Sequence, residues 1–166
     1  MQDRFKFRYV FKNKIYDVDT LYLEIPAVSL VDTDRIGEKY LLHTSKRDFD
    51  FKNLIQCTGL KDKSGKLIFE GDIVKINENY PDYSAIGDFY KNQSFVVEYF
   101  QSNARYLLKP SEYEDNSGSG IYDLSPDFYE FLNWKPTGKF EENTLQGIEI
   151  IGNVYENPEL LEESQC

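Results

Sequence analysis

Two chain reversals in close succession dominate the stretch from Gly59 to Ile76, which reads GLKDKSGKLIFEGDIVKI. Asp62 and Gly65 occupy the first and last places of a type I turn, and glycine can take the positive φ that the reversal needs. Apolar residues on both sides of this turn favour two antiparallel strands. A second break follows at Glu70-Gly71-Asp72, and Ile73–Ile76 then begins another strand. This pattern suits a small, strongly bent barrel and indicates no particular reaction.

Composition favours strands over helices in the rest of the chain. The 166 residues include 13 Tyr and 12 Phe, and aromatic residues are enriched in strands. Residues 4–9 alternate strictly, which predicts a strand with an aromatic face and a basic face. The aromatic face holds Phe5, Phe7 and Tyr9, and the basic face holds Arg4, Lys6 and Arg8.

Apolar runs and their breaks predict the further elements. Residues 15–18 pair with the first strand, and residues 21–25 form a third strand that Pro26 ends, because proline has no N–H to donate. Ser125-Pro126-Asp127 is typical of a helix start. The remaining predicted elements are the strand pairs 28–31 with 39–43 and 94–100 with 104–109, a long loop over 77–92, a last strand over 147–155 with a bulge or bend at Gly152-Asn153, and a helical turn over 158–163.

Three segments of the chain resemble the YopX family, small proteins from phages and prophages of Gram-positive bacteria. They are Gly59 to Ile76, the segment IEIIGNVYENPELL from Ile148 to Leu161, and the opening DRFKFRYVFKNKIYDV from Asp3 to Val18. Val10-Phe11 stand where the family commonly has a Trp, and residues 110–120 look like an insertion. The family has no established molecular role and brings no catalytic residues.

The resemblance implies a mainly β protein, a β-rich α+β chain in which a C-terminal SH3-like β-barrel follows a small β-rich N-terminal subdomain. A chain of 166 residues is long enough for two small units that share a core. We therefore expect an N-terminal subdomain over 1–56, a barrel over 57–157 with a flexible insertion near 110–120, and a helical turn and tail over 158–166.

The sequence carries none of the common phosphate-loop, dinucleotide, zinc or nucleophile motifs. Cys57 lies in an apolar run, which favours a reduced, structural thiol, and His43 has no Cys or His neighbour to share a metal. Asp72 follows a glycine in a turn, where its carboxylate is expected to bond to nearby backbone N–H groups. We therefore expect no enzyme activity, no catalytic residue, no metal and no cofactor.

The net charge of −10 is unevenly distributed. Residues 1–76 contain 14 basic and 12 acidic residues, whereas residues 77–166 contain 5 basic and 17 acidic ones. Such asymmetry between halves is a sign of a partner. The candidate interaction surface comprises Arg4, Lys6 and Arg8 on the basic face and Tyr80, Tyr83 and Tyr90 in the long loop. An ordinary solvated strand face would also explain the three basic residues, and a role in covering the barrel would also explain the three tyrosines.

Nucleic acid is not expected as a partner, because phosphate contacts drive such binding and the whole chain is acidic. No apolar run approaches the roughly 20 residues that a membrane span needs. Met1 is followed by charged residues instead of a secretory signal. We therefore expect a cytoplasmic protein in the host cell of a phage or prophage.

Three functions from different classes remain open. The first is a non-enzymatic interaction or assembly module that forms a homo-oligomer or binds a host or phage protein. The second is an acidic inhibitor that mimics DNA and binds a host nucleic-acid enzyme, which the acidic second half motivates. The third is an enzyme whose site is unrecognised, which would require a deep pocket lined by carboxylates.

Overall fold

The computed structural model of the protein describes residues 5–33, 37–76, 94–100, 105–110, 122–123, 145 and 147–161. These residues form strands β1 (Phe7–Phe11), β2 (Lys14–Tyr22), β3 (Ala27–Thr33), β4 (Lys39–His43), β5 (Leu54–Lys61), β6 (Leu67–Phe69), β7 (Asp72–Ile76), β8 (Ser94–Phe100), β9 (Arg105–Pro110), β10 (Tyr122–Asp123) and β11 (Ile148–Asn153). Short 3-10 helices cover Phe51–Asn53 and Pro158–Leu161. The predicted helix start at 125–127, the loop over 77–92 and the insertion beyond Pro110 lie outside the described residues.

The strands form two antiparallel sheets, which confirms the prediction of a mainly β protein. The first sheet has the order β4-β3-β2-β1-β5-β6, and the second has the order β10-β9-β8-β7-β11. Neither sheet closes into a barrel within the part of the chain that the structure describes. The division at residues 56 and 57 stays a prediction, and β5 runs across it.

The prediction of a separate strand over residues 21–25 is wrong. β2 continues from Lys14 through Tyr22, and its pairing register with β3 shifts between Val18 and Thr20. The shift accommodates Asp19 as an extra residue in one strand, which is the property of a β-bulge. Because a bulge resets the alternation of apolar and polar residues, one continuous strand looks like two in the sequence.

The β5–β6 hairpin links the hydrophobic clusters of the two sheets. Ile68 packs in the cluster of the second sheet with Val74, Phe95 and Ile148. Its neighbours Ile55, Cys57 and Phe69 form a separate cluster with residues of β1 and β2. The thiol of Cys57 is buried, which agrees with a structural role. The stretch that the sequence singled out therefore holds both sheets together.

The predicted turn at Asp62–Gly65 is confirmed. Gly65 has a φ of 86°, and its N–H donates to the backbone oxygen of Asp62 at 2.9 Å. No heavy atom lies within 4 Å of the place a Cβ would take on Gly65. Any cost of a side chain there therefore comes from the backbone alone.

We expect Gly65→Val to lower the free energy of unfolding by about 1–2 kcal/mol, because a β-branched residue is disfavoured in the left-handed region. Gly65→Asn is the matched control and should cost less, since Asn tolerates that region. Urea unfolding of the purified variants measures both values. Equal stability of the Val variant and the wild type would contradict the turn.

Candidate functional site

The structure places only part of the predicted interaction surface. Lys6 is exposed just before β1, and its backbone oxygen accepts from the N–H of Cys57 at 3.0 Å. Arg8 lies on β1 with 19% of its side chain exposed. The other members of the predicted surface, Arg4, Tyr80, Tyr83 and Tyr90, lie outside the described residues.

Arg8 is held between the two sheets. Its guanidinium carbon lies 3.9 Å from the centroid of the Phe69 ring, within the range of a cation–π contact. Its Nε donates to Asp17 Oδ1 at 3.2 Å, and its Nη1 lies 3.6 Å from Asp72 Oδ1. Because Arg8 serves this local network, it does not extend an open basic face along β1.

A cleft of about 590 Å³ opens beside Arg8, between the first sheet and β11. On the side of β11, the cleft is lined by residues 150–153, where the pairing with β7 shifts register between Ile150 and Gly152. Ile151 is the extra residue, so the bulge lies one position before the predicted bulge or bend at Gly152-Asn153. Bulges often occur beside functional sites. The charged lining residues are Arg8, Lys14, Lys66, Asp17, Asp32, Asp72 and Glu156. Mixed charges of this kind do not select an anion or a cation.

Asp72 is the buried acid of this cleft, with only 4% of its side chain exposed. Its Oδ2 accepts from the Phe69 N–H at 2.9 Å, as expected for the turn. Burial raises the pKa of Asp72 to about 6, against the lowering effects of the Phe69 hydrogen bond and of Arg8. Among the described residues, no group of three or more His, Cys, Asp and Glu is arranged to hold a metal ion.

Glu156 ties the two sheets together across the same cleft. Its Oε1 accepts from the Ile15 N–H of β2 at 3.0 Å, and its Oε2 accepts from Asn153 Nδ2 at 3.1 Å. The sequence gives no sign of the link to β2, because Ile15 and Glu156 lie far apart in the chain and Glu156 resembles any surface acid.

His43 makes a cross-strand contact on β4. It lies opposite Ser29 of β3, and its Nδ1 is hydrogen-bonded to Ser29 Oγ at 2.8 Å. Ser29 itself is buried, so its hydroxyl is not presented to a substrate. The contact joins the edge strand to its neighbour, in agreement with a packing role for His43.

Large apolar side chains are exposed where β2 turns into β3. We call residues 19–27 the hairpin tip. Leu23 is 71% exposed, Ile25 is 64% exposed and Tyr22 is 45% exposed. Clustered exposed apolar residues are typical of protein-binding surfaces, whereas single ones are common on any protein. The hairpin tip is therefore the first candidate for an interaction surface.

A second exposed surface lies in residues 45–52, which we call the aromatic loop. Tyr9 is fully buried and fixes this loop, because its hydroxyl donates to the Asp48 oxygen and accepts from the Asp50 N–H. Phe49 stacks on Tyr9, with ring centroids 5.5 Å apart, and Phe51 packs edge-on against Phe49 at 4.8 Å. The aromatic row thus ends at the surface in Phe51, which is 58% exposed.

Comparison with known proteins gives a family and a distant structural neighbour. The family model described as YopX protein matches residues 6–162. A crystal structure of protein EF1440 from Enterococcus faecalis is similar at 20% sequence identity and a TM-score of 0.46, covering 94% of this chain and 96% of that one. No curated protein matches the sequence. Within the described residues, no helix is long and apolar enough to cross a membrane.

Proposed function

The chain belongs to the YopX family, and on that basis we propose that it is a non-enzymatic interaction or assembly module, encoded by a phage or prophage and acting in the cytoplasm of the host cell. The observation that carries this proposal is the hairpin tip, where Leu23 and Ile25 are 71% and 64% exposed. Leaving such side chains in water is unfavourable, at about 25 cal/mol per Å² of apolar surface. A partner that covers them recovers this free energy.

We propose that the partner is a second copy of the chain, with a host or phage protein as a further possible ligand and with no role for nucleic acid. Every copy in an assembly presents the same surfaces, so complementary patches satisfy one another without a foreign protein. Ion pairs at the rim of such a contact add only about 0–1 kcal/mol each. Apolar contacts must therefore provide most of the affinity.

We also propose that the second sheet and the end of the β5–β6 hairpin together form an SH3-like barrel. Two backbone hydrogen bonds support this arrangement, from the Leu145 N–H to the Lys61 oxygen at 2.7 Å and from the Lys63 N–H to the Ile148 oxygen at 2.9 Å. They connect the end of β5 with the region of β11. The hairpin thereby continues the sheet around its hydrophobic cluster, as a small barrel requires.

Size-exclusion chromatography with light scattering tests the proposed self-association. We expect the purified protein at micromolar concentration and low salt to have at least twice the mass of the 19.5 kDa chain. Dilution should shift the mass toward that of the monomer, because association depends on concentration. A monomer at all concentrations up to about 100 µM would overturn self-association.

A further inference from the structure

We propose that self-association occurs by docking of the hairpin tip of one copy onto the aromatic loop of another. The inference rests on the proposed function and specifies its contact. The two surfaces are apolar, opposite in charge and firmly supported, and their apolar side chains stay exposed in one copy.

The hairpin tip presents an apolar surface with acidic residues and no basic ones. Leu23 and Ile25 project from the turn between two paired strands, and Tyr22 and Ala27 still form a cross-strand pair at its base. The two charged residues of this segment are Asp19 and Glu24, and both are exposed. A surface of this kind fits a partner that combines an apolar contact with positive charge.

The aromatic loop offers that combination. Phe51 is surrounded in sequence by the exposed cations Lys46, Arg47 and Lys52. The carboxylates of the two acids in the loop already accept hydrogen bonds within it, Asp48 from Ser45 Oγ and Asp50 from the Lys52 N–H. With three cations against these two acids, the loop has a net charge of +1, opposite in sign to the −2 of the hairpin tip.

The loop is also preorganised for docking. Its backbone is bound to the buried Tyr9 hydroxyl at two points, and Phe51 rests on Phe49. A side chain that is already held in place loses little conformational freedom on binding. An exposed aromatic ring on such a support has the character of an interface anchor.

Within one copy the two surfaces adjoin at one end, because the Thr44 N–H, just before the aromatic loop, donates to the Val28 oxygen, just after the hairpin tip, at 3.0 Å. Phe51 lies at the other end of the loop. Leu54, which directly follows the loop and its 3-10 helix, is level with Tyr16, because both residues pair with Tyr9. Tyr22, at the base of the hairpin tip, lies farther along β2 by six residues, about 20 Å at the usual rise per residue in a strand. Leu23, Ile25 and Phe51 each stay more than half exposed in one copy, so a contact that covers all three forms between molecules.

Each contact joins two different surfaces, and a two-fold dimer would form it twice, once in each direction. This property gives it a distinctive test by mixing two variants. Leu23→Ser/Ile25→Ser removes the apolar part of the hairpin tip and leaves the aromatic loop intact, whereas Phe51→Ser does the reverse. All three side chains are largely exposed, so both variants should fold, and circular dichroism confirms this.

We expect each variant alone to raise the dissociation constant for self-association at least tenfold, and the mixture to form a 1:1 complex through the one intact pair of surfaces. Phe5→Ser is the matched control, because Phe5 is 79% exposed and belongs to neither surface. It should associate like the wild type. Analytical ultracentrifugation of the single proteins and of the mixture measures all of these states.

Three results would overturn the docking. Variants that still associate like the wild type would show that another surface mediates an intact self-association. Variants that are monomeric both alone and mixed would show that the two surfaces do not meet each other. Binding to phosphatidylcholine vesicles that is lost only in the hairpin-tip variant, with its association unchanged, would make the tip a lipid contact. A monomeric wild type would instead refute the proposed self-association itself.

Discussion

The Asp72→Asn variant is expected to gain about 2–3 kcal/mol of unfolding free energy relative to the wild type as the pH rises from 3.5 to 7. Burial raises the pKa of Asp72 from 3.8 to about 6. Between these two values, the folded protein binds a proton that the unfolded chain has already released. The wild type therefore loses stability as the pH rises through this window, while the Asn variant has no such titration.

The measured quantity is the difference in unfolding free energy between Asp72→Asn and the wild type, followed over a range of pH. Its change with pH can be told apart from the effects of the substitution that do not depend on pH. Asn keeps an oxygen that can accept from the Phe69 N–H, and Arg8 keeps its hydrogen bond to Asp17. Any constant cost of changing these contacts shifts the difference equally at every pH. Only the titration of Asp72 makes the difference depend on pH.

Urea unfolding at several pH values between 3.5 and 7 measures this dependence. Asp17→Asn serves as the control, because Asp17 also contacts Arg8 but has 71% of its side chain exposed. This control shows what the loss of a negative charge beside Arg8 does without burial. A difference in stability between Asp72→Asn and the wild type that changes with pH no more than that of Asp17→Asn would mean that water reaches Asp72 and that the cleft floor is open.

The local chemistry of the β5–β6 hairpin was predictable from the sequence because its signals act over a few residues. The Asp62–Gly65 turn and the bond from the Phe69 N–H to Asp72 follow from turn residues at fixed spacing. The bulge of β11 likewise lies within one residue of its predicted place. The pairing of β3 with β4 and of β8 with β9 was predictable for the same reason, since each pair joins neighbouring apolar runs.

The inter-sheet contacts were not predictable, because they join residues that are distant in the chain. Alternation places Arg8 on the polar face of β1, but it does not show that Asp72 and Phe69 lie against that face. Glu156 likewise has no signal in the sequence that points to Ile15. The hairpin tip was misread for another reason, since the bulge at Asp19 hides the continuity of β2 and makes its end look like an independent strand.

Asp62→Ala is expected to destabilise the protein by about 3 kcal/mol or more, because it leaves several donors without their charged acceptor. Asp62 Oδ1 accepts from the Ser64 N–H at 2.9 Å, from Ser64 Oγ at 2.6 Å and from the Lys66 N–H at 2.9 Å. Its Oδ2 accepts from the Ile150 N–H at 3.3 Å. One buried carboxylate thus closes the turn and also fastens it to β11.

Asp62→Asn removes the charge of the side chain and keeps nearly the same shape. If the amide oxygen accepts from the Ser64 and Lys66 donors, the amide NH2 group faces the Ile150 N–H and cannot accept from it. The Asn variant should therefore be less stable than the wild type and more stable than the Ala variant. Ser64→Ala removes a single hydroxyl donor and should cost only about 1 kcal/mol. Thermal and urea unfolding of the three variants at pH 7 give this ranking, and an Ala variant as stable as the wild type would refute the network.

The pH dependence of the Asp62 variants should have the opposite sign to that of Asp72→Asn. Burial by itself raises the pKa of Asp62, but the hydrogen bonds from Ser64, Lys66 and Ile150 outweigh it and hold the pKa below its ordinary value. The stability that Asp62 provides is therefore complete above the unfolded pKa of about 4 and is lost as the pH falls through the lower folded value. Relative to the wild type, the unfolding free energy of Asp62→Asn should be lowered least at acidic pH and most at neutral pH. That of Asp72→Asn should instead rise toward neutral pH. Hydrogen-bond donors stabilise the ionised form of Asp62, whereas burial destabilises the ionised form of Asp72. The same sign of pH dependence for both variants would contradict these two environments.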